Sequence, residues 1–161
     1  MLKYVGTQIV FQEVPDEVSL AINLSLCPNH CKGCHSPELW EDIGEELTLK
    51  TLEKLIGQNP GITCVAFMGG DNDVWGLYEA AKFVHSKFGL KTCWYSGRDT
   101  LADRIKWAHG WDYIKLGHYN EELGGLDKKT TNQRLYKFEL PGQGDSPIGK
   151  GWVDITYRFW Q

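Results

Sequence analysis

Short apolar runs alternate with helix-like segments between residues 18 and 116, and this alternation restricts the possible folds more than any other feature of the sequence. Runs typical of strands cover residues 18–26, 62–68, 90–95 and 112–116. Segments with helical spacing of apolar residues cover residues 48–58, 73–87 and 99–108. Neighbouring parallel strands need a long crossover connection, usually a helix. The order therefore predicts βαβ units and an α/β fold with mostly parallel strands.

The two ends of the chain follow a different pattern. Residues 4–14 alternate loosely and predict a first strand or hairpin. After Gly117 the chain becomes polar, and residues 133–140 and 152–160 predict a short antiparallel C-terminal addition. No linker, repeat or low-complexity tract divides the sequence, so we expect a single domain over residues 1–161.

The predicted parallel strands would end at one edge of the sheet. Ligands of such sheets bind beyond the carboxyl ends of the strands. Cys27, Gly69, Ser96 and Gly117 each follow one of these strands. We therefore expect these four positions to lie along one rim.

Charge and hydropathy favour a cytoplasmic protein. The formal net charge is −4, from 17 Lys plus Arg against 21 Asp plus Glu. This balance argues against non-specific nucleic-acid binding, which needs a basic excess. No run approaches the roughly 18 apolar residues of a membrane-spanning helix, and the first residues do not resemble a secretory signal. The five cysteines are therefore expected to be thiols or metal ligands rather than disulfides.

Three cysteines on one loop carry the strongest chemical signal. Cys27, Cys31 and Cys34 follow directly after a predicted strand. Three thiolates can hold three corners of a [4Fe–4S] cluster, and the absence of a fourth leaves one iron open to a substrate. Two other kinds of site are compatible with some of these cysteines. One is a zinc site completed by another ligand, and the other is haem attachment through the C-x-x-C-H pattern. The candidate zinc ligands are His30, His35, Cys64 and Cys93. Cys64 and Cys93 lie in apolar runs, where a buried, unligated thiol is the simpler interpretation.

The same residues resemble a known family. The spacing Cys-x3-Cys-x2-Cys after a first strand is the signature of radical S-adenosylmethionine (SAM) enzymes. Most of these enzymes have an aromatic residue just before the third cysteine, whereas this chain has Gly33, which resembles the small activating proteins of anaerobic ribonucleoside-triphosphate reductase. The resemblance extends to Met68-Gly69-Gly70-Asp71, to Tyr95-Ser96-Gly97 and to the run from 112 to 134 that ends in Asn132-Gln133-Arg134.

This resemblance implies a fold, an activity and partners. The fold would be a partial, open (β/α) barrel of radical SAM type. The enzyme would use a [4Fe–4S] cluster to cleave SAM reductively and would generate a glycyl radical in the glycine loop of the large subunit of the reductase. A one-electron donor such as flavodoxin or ferredoxin would supply the electron, and neither nucleic acid nor membrane would be a partner. Two other functions stay open at this point: a minimal radical SAM enzyme acting on a small molecule, similar to deazapurine synthases, and a non-catalytic zinc-stabilised binding module.

The resemblance also implies a set of site residues. The cluster ligands would be Cys27, Cys31 and Cys34. The residues that would contact SAM are Gly69, Gly70, Asp71, Ser96, Lys115, Asn132 and Arg134. Four of these have simpler interpretations: Asp71 as a helix cap, Ser96 as a turn residue, Lys115 as a solvated strand lysine and Arg134 as the partner of a nearby carboxylate.

Overall fold

One eight-stranded sheet organises the molecule, whose computed structural model describes residues 1–100, 110–139, 145–146 and 148–160. In chain order the strands are β1 (Lys3–Val10), β2 (Ser19–Leu24), β3 (Glu45–Glu46), β4 (Cys64–Met68), β5 (Lys91–Tyr95), β6 (Tyr113–Leu116), β7 (Arg134–Phe138), β8 (Asp145–Ser146), β9 (Gly149–Lys150) and β10 (Trp152–Asp154). The α-helices of the described residues are α1 (Leu49–Gly57) and α2 (Val74–Phe88). Strands β8 and β9 form a separate two-stranded pair.

The sheet is mixed, and the predicted partial (β/α) barrel with mostly parallel strands is wrong. Its strand order is β10-β7-β6-β5-β4-β2-β1-β3. Only the three central pairs, β2 with β4, β4 with β5 and β5 with β6, are parallel. The other four neighbouring pairs are antiparallel. The described residues contain two α-helices rather than the helix-rich layer of such a barrel.

The chain connections explain the correction. Residues 11–18 join β1 to β2 without a helix, and such a connection favours an antiparallel neighbour. The polar segment 117–133 also contains no helix, so β7 returns antiparallel to β6. The antiparallel C-terminal addition expected over 133–140 and 152–160 is present as β7 and β10, but antiparallel pairs at both ends of the sheet outnumber the parallel ones. The strand predicted over 152–160 is also shorter than expected, because β10 ends at Asp154 and a 3₁₀ helix (Thr156–Trp160) follows.

Both α-helices begin at capping side chains. The hydroxyl of Thr48 accepts a hydrogen bond from the Thr51 amide at 3.1 Å, and Asp73 accepts one from the Gly76 amide at 3.0 Å. Helix α2 ends at Gly89, whose φ of 64° is the left-handed conformation that glycine adopts readily. The helical spacing predicted over 73–87 is confirmed, since the apolar residues Leu77, Ala80, Ala81 and Val84 form a buried inner stripe of α2. Most of the helix predicted over 99–108 lies outside the described residues.

The sheet has a separate hydrophobic core on each face. One face packs Leu20, Ile22, Phe67 and Trp94 with the buried residues of both helices. The other face buries Cys64 and Cys93 with Val14, Tyr113, Leu135 and Ile155. No helix in the described part of the chain has the length and apolar character needed to cross a bilayer.

Candidate functional site

The four segments that follow the parallel strands meet at one edge of the sheet, which we call the rim. Parallel register aligns the last residues of these strands, with Met68 opposite Tyr95 and Tyr95 opposite Lys115. Beyond the strands the backbone bonding continues: the Gly69 amide donates to Tyr95 O at 3.1 Å, and the Ser96 amide donates to Lys115 O at 2.9 Å. The expectation that the strand ends share one rim is therefore confirmed.

The cysteine loop, residues 27–37, leaves β2 at this rim and turns back on itself. Leu26, His30 and Gly33 have positive φ angles, which curl the backbone around the three thiols. The Cys34 amide donates to Cys31 O at 3.1 Å and closes a turn between these two cysteines. The imidazole of His30 stacks on the Trp40 ring at 4.7 Å, which anchors the outer side of the loop. The thiols of the loop are free and partly exposed, so they are accessible to a metal centre.

Gly33 occupies a position that no other residue fits without a shift. Its φ is +77°, in the left-handed region that favours glycine. A Cβ at this position would also overlap the carboxylate of Glu121. Glu121 belongs to the segment after β6 and lies 3.5 Å from the Lys32 ammonium. The glycine before the third cysteine therefore lets this segment close on the loop.

The donor set of the loop suits an iron–sulfur cluster. In the described residues, no group of three or more His, Cys, Asp or Glu side chains is arranged so that it could hold a metal ion. Each iron of a cubane [4Fe–4S] cluster takes one soft ligand, and a cysteine thiolate is such a ligand. The other two cysteines are fully buried in strands, and burial raises the pKa of the Cys64 thiol to about 12. Three soft donors on one loop thus fit a cluster with three protein ligands.

Asp71 connects the cysteine loop to the end of β5. Its carboxylate is 5% exposed and accepts hydrogen bonds from the Ser96 hydroxyl at 2.6 Å, the Gly97 amide at 2.8 Å and the Asn29 amide group at 2.7 Å. It does not cap α2, because Asp73 does so. Ser96 likewise has a specific partner in Asp71. Asp71 therefore joins three segments of the rim.

Lys115 is buried beneath the rim rather than solvated. Its ammonium donates to Ser96 O at 2.9 Å and to Gly117 O at 2.8 Å. Burial lowers its pKa to about 8, against the opposing attraction of the Asp71 carboxylate and the Cys31 thiol. A cation held here fixes the backbone after β5 and β6 and adds positive potential below the cysteine loop.

Gly69 and Gly70 turn the chain away from β4 with φ angles of 117° and 96°. A Cβ on Gly70 would overlap the side chain of Leu77, so this glycine also allows α2 to pack closely. A Cβ on Gly69 would make only ordinary contacts with Leu24, and its backbone conformation is the reason for glycine there.

Asn132 and Arg134 have different surroundings. The Asn132 amide group donates to His118 O at 3.1 Å, which keeps it near the rim, and its buried Oδ1 accepts no hydrogen bond from the described residues. The Arg134 guanidinium lies 3.8 Å from the Asp154 carboxylate and 5.7 Å from the centre of the Trp160 ring. The simpler interpretation of Arg134, an ion pair with a nearby carboxylate, therefore describes its contacts.

A cavity of about 380 Å³ opens beside Cys31. Its walls come from the cysteine loop and from residues 118–122, with Asn29, Lys32, His118, Tyr119 and Glu121 among the lining side chains. This volume lies within the range of small-molecule sites. The polar, oppositely charged lining suits a ligand that itself carries both charges.

Sequence reasoning missed the residues that hold the loop from outside. Asn29, Tyr119 and Glu121 are not among the site residues predicted from the sequence. The Tyr119 ring lies 5.0 Å from the imidazole of His35. The contacts of Glu121 and Tyr119 cross more than eighty positions of the chain and leave no periodic pattern.

A family model described as the 4Fe-4S single cluster domain matches residues 18–113, which is more than half of the chain. No curated protein and no solved structure matches the chain. The matched residues include β2, the cysteine loop and the segments after β4 and β5. The chain therefore belongs to the 4Fe-4S single cluster domain family and is an iron–sulfur protein.

Proposed function

We propose that this member of the 4Fe-4S single cluster domain family is a radical SAM activase: it cleaves SAM reductively and generates a glycyl radical on anaerobic ribonucleoside-triphosphate reductase. The observation that carries the proposal is the three-thiol loop beside a polar cavity that Cys31 itself lines. Cys27, Cys31 and Cys34 would be the cluster ligands.

The distribution of thiols supports a cluster with one open corner. Cys64 and Cys93 are fully buried in the second core, and burial raises the pKa of both thiols. They cannot reach the rim without unfolding the central strands. A [4Fe–4S] cluster on three loop thiolates has one iron without a protein thiolate, and a ligand with amino and carboxylate groups can chelate it. When bound and reduced, such a cluster supplies the electron that breaks a C–S bond of SAM.

The rim offers groups that would bind and orient SAM. The lining of the cavity includes the Lys32 ammonium and the carboxylates of Glu121 and Glu122, which complement a ligand with both charges. The buried Lys115 ammonium adds positive potential below the loop, where a carboxylate would be attracted.

Other rim residues from the resemblance complete the proposed SAM site. Gly69 and Gly70 belong to the proposed site through their backbone groups; Gly69 is partly exposed, whereas Gly70 is buried against Leu77. Asp71 and Ser96 hold the site together through their hydrogen bond, and the buried Oδ1 of Asn132 is an acceptor for a donor of the ligand. Arg134 belongs to the proposed set as well, and in this structure its guanidinium lies near Asp154 and the Trp160 ring.

The first experiment tests the cluster and the cleavage of SAM. Anaerobically reconstituted protein is expected to hold about four iron and four sulfide per chain. After reduction and addition of SAM it should release methionine and 5′-deoxyadenosine in equal amounts. Cys31→Ala should lose both the cluster and the products, whereas the matched variant Cys64→Ala should keep both. One zinc per chain and no iron would refute the cluster assignment, and a loaded cluster without SAM cleavage would refute the activity.

The second experiment tests the partner. The reduced protein is mixed with SAM and the large subunit of the reductase, and EPR spectra are recorded. We expect a glycyl-radical doublet on the reductase, which a variant of its glycine-loop glycine should abolish. Active SAM cleavage without this doublet would reject the activase and favour an enzyme acting on a small molecule. Flavodoxin and ferredoxin are then compared as electron donors in place of a chemical reductant.

A further inference from the structure

We propose that Asn29 is a positioning residue that holds the Cys27 sulfur and the Asp71 carboxylate with the two hydrogens of one amide group. Its Nδ2 lies 2.7 Å from Asp71 Oδ2 and 3.6 Å from Cys27 Sγ. A primary amide has two N–H donors, so both contacts can form at the same time. The inference rests on the part of the proposed function that makes Cys27 a cluster ligand.

The surroundings leave Asn29 little freedom. On the Asp71 side, the same carboxylate oxygen also accepts a hydrogen bond from the Gly97 amide at 2.8 Å. Gly97 lies against the asparagine side chain, and a Cβ there would come within 2.5 Å of Asn29 Nδ2. Because this position is glycine, the amide group of Asn29 can lie close to the backbone at the end of β5. The loop is thus fixed to the rim on the side of its first cysteine.

The contact with sulfur has an electronic consequence. Hydrogen bonds to cluster sulfurs are one of the levers that set the reduction potential of an iron–sulfur protein. An N–H donor stabilises the reduced cluster more than the oxidised one, because the reduced form carries more negative charge. Loss of the Asn29 donor should therefore shift the midpoint potential to more negative values. A role confined to packing would not produce such a shift.

The variant Asn29→Leu removes both donors and keeps a branched side chain with the same number of heavy atoms. We expect it to load the same amount of iron as the wild type, with a more negative midpoint potential in an EPR-monitored redox titration. The cluster should also be lost to a chelator roughly tenfold faster, the effect of losing one hydrogen bond to a charged group. The matched control is Asn72→Leu, because Asn72 is exposed and its amide group donates to Met1 O away from the loop.

A second variant keeps the proposal testable if Asn29→Leu fails to fold or to load iron. Gly97→Ala retains the amide group but displaces it, so the potential and the rate of cluster loss should shift in the same directions. If both variants keep the wild-type potential and loss rate, the proposal is wrong. If the wild-type cluster forms but cleaves no SAM, the proposed function fails while the effect of Asn29 on the potential still stands.

Discussion

Burial of a charged lysine should make the stability of the metal-free protein depend on pH in a specific way. The pKa of Lys115 is lowered to about 8 in the folded protein by burial, from an ordinary value of 10.5. The unfolded chain therefore binds the proton more tightly than the folded chain does. Below pH 8 the full cost of holding the buried charge is present, and this cost disappears as the pH rises toward 10.5. The free energy of unfolding should increase across this window.

The size of the effect follows from the two pKa values. With a folded pKa of about 8 and an unfolded pKa of 10.5, the buried charge costs about 3 kcal/mol at pH 7.5 and about 1.4 kcal/mol at pH 9.5. The contribution of Lys115 to stability should thus improve by roughly 2 kcal/mol between these pH values. Lys115→Met removes the titrating group at similar length, so this variant should lack that gain.

The assay is urea unfolding of metal-free, reduced protein at both pH values. The quantity compared is the change in unfolding free energy of the wild type between the two pH values minus the same change in Lys115→Met, because groups distant from Lys115 titrate alike in both proteins. Lys32→Met is the control, since the Lys32 side chain is 92% exposed and should behave as the wild type does. If the unfolding free energies of wild type and Lys115→Met change by the same amount between the two pH values, within about 0.5 kcal/mol, the reasoning is refuted.

Three further predictions concern individual contacts. Gly33→Ala should lower the Tm and the iron content, because the left-handed φ costs ~1 kcal/mol for alanine and the new Cβ overlaps the Glu121 carboxylate. Adding Glu121→Ala should restore only the part of the Tm that is lost to the overlap. A full recovery of the Tm, or none, would contradict the presence of both causes. Asp71→Ala should destabilise the protein by ~2–4 kcal/mol in urea unfolding, since it leaves three donors without their acceptor, and an unchanged midpoint would reject its joining role. Asp112→Ala should lower the free energy of unfolding by ~1–3 kcal/mol, because it removes the acceptor of the Thr92 amide at 2.8 Å, and it should leave the iron content unchanged. Hydrogen bonds hold the pKa of Asp112 below its ordinary value despite burial, so the stabilisation by Asp112 should vanish as the pH falls through that pKa. Equal acid sensitivity of wild type and variant would argue against this contribution.

The sequence was sufficient for elements whose signal is local. The strands β4, β5 and β6 and the inner stripe of α2 all follow from spacing within about fifteen residues. The buried state of Cys64 and Cys93 follows in the same way from the apolar runs around them. Pairing direction at the N-terminal edge of the sheet was not predictable from the same patterns. An alternating strand has the same pattern whether its neighbour runs parallel or antiparallel, so the antiparallel pairing of β1 with β2 was not predicted. The antiparallel C-terminal addition was predicted and is present as β7 and β10.

The candidate site also depends on both local and long-range information, and only the local part could be predicted from the sequence. The spacing of Cys27, Cys31 and Cys34 is a local property and indicated the iron–sulfur site from the sequence. The contacts that support this loop are long-range, because Asn29 meets Asp71 from after β4, and Gly33 meets Glu121 from after β6. The residues between the cysteines thus determine how the thiols are held.

The two supports act on different ends of the cysteine loop. Asn29 fixes the side of Cys27 to the ends of β4 and β5, whereas the Glu121 segment closes over Gly33, next to Cys34. The cavity beside Cys31 lies between these supports and is lined by both Asn29 and Glu121. A ligand that entered this cavity would contact the two supports together. Binding in the cavity and the position of the first and third cysteines should therefore be coupled, so that the ligand changes the EPR spectrum of the cluster less when either support is removed.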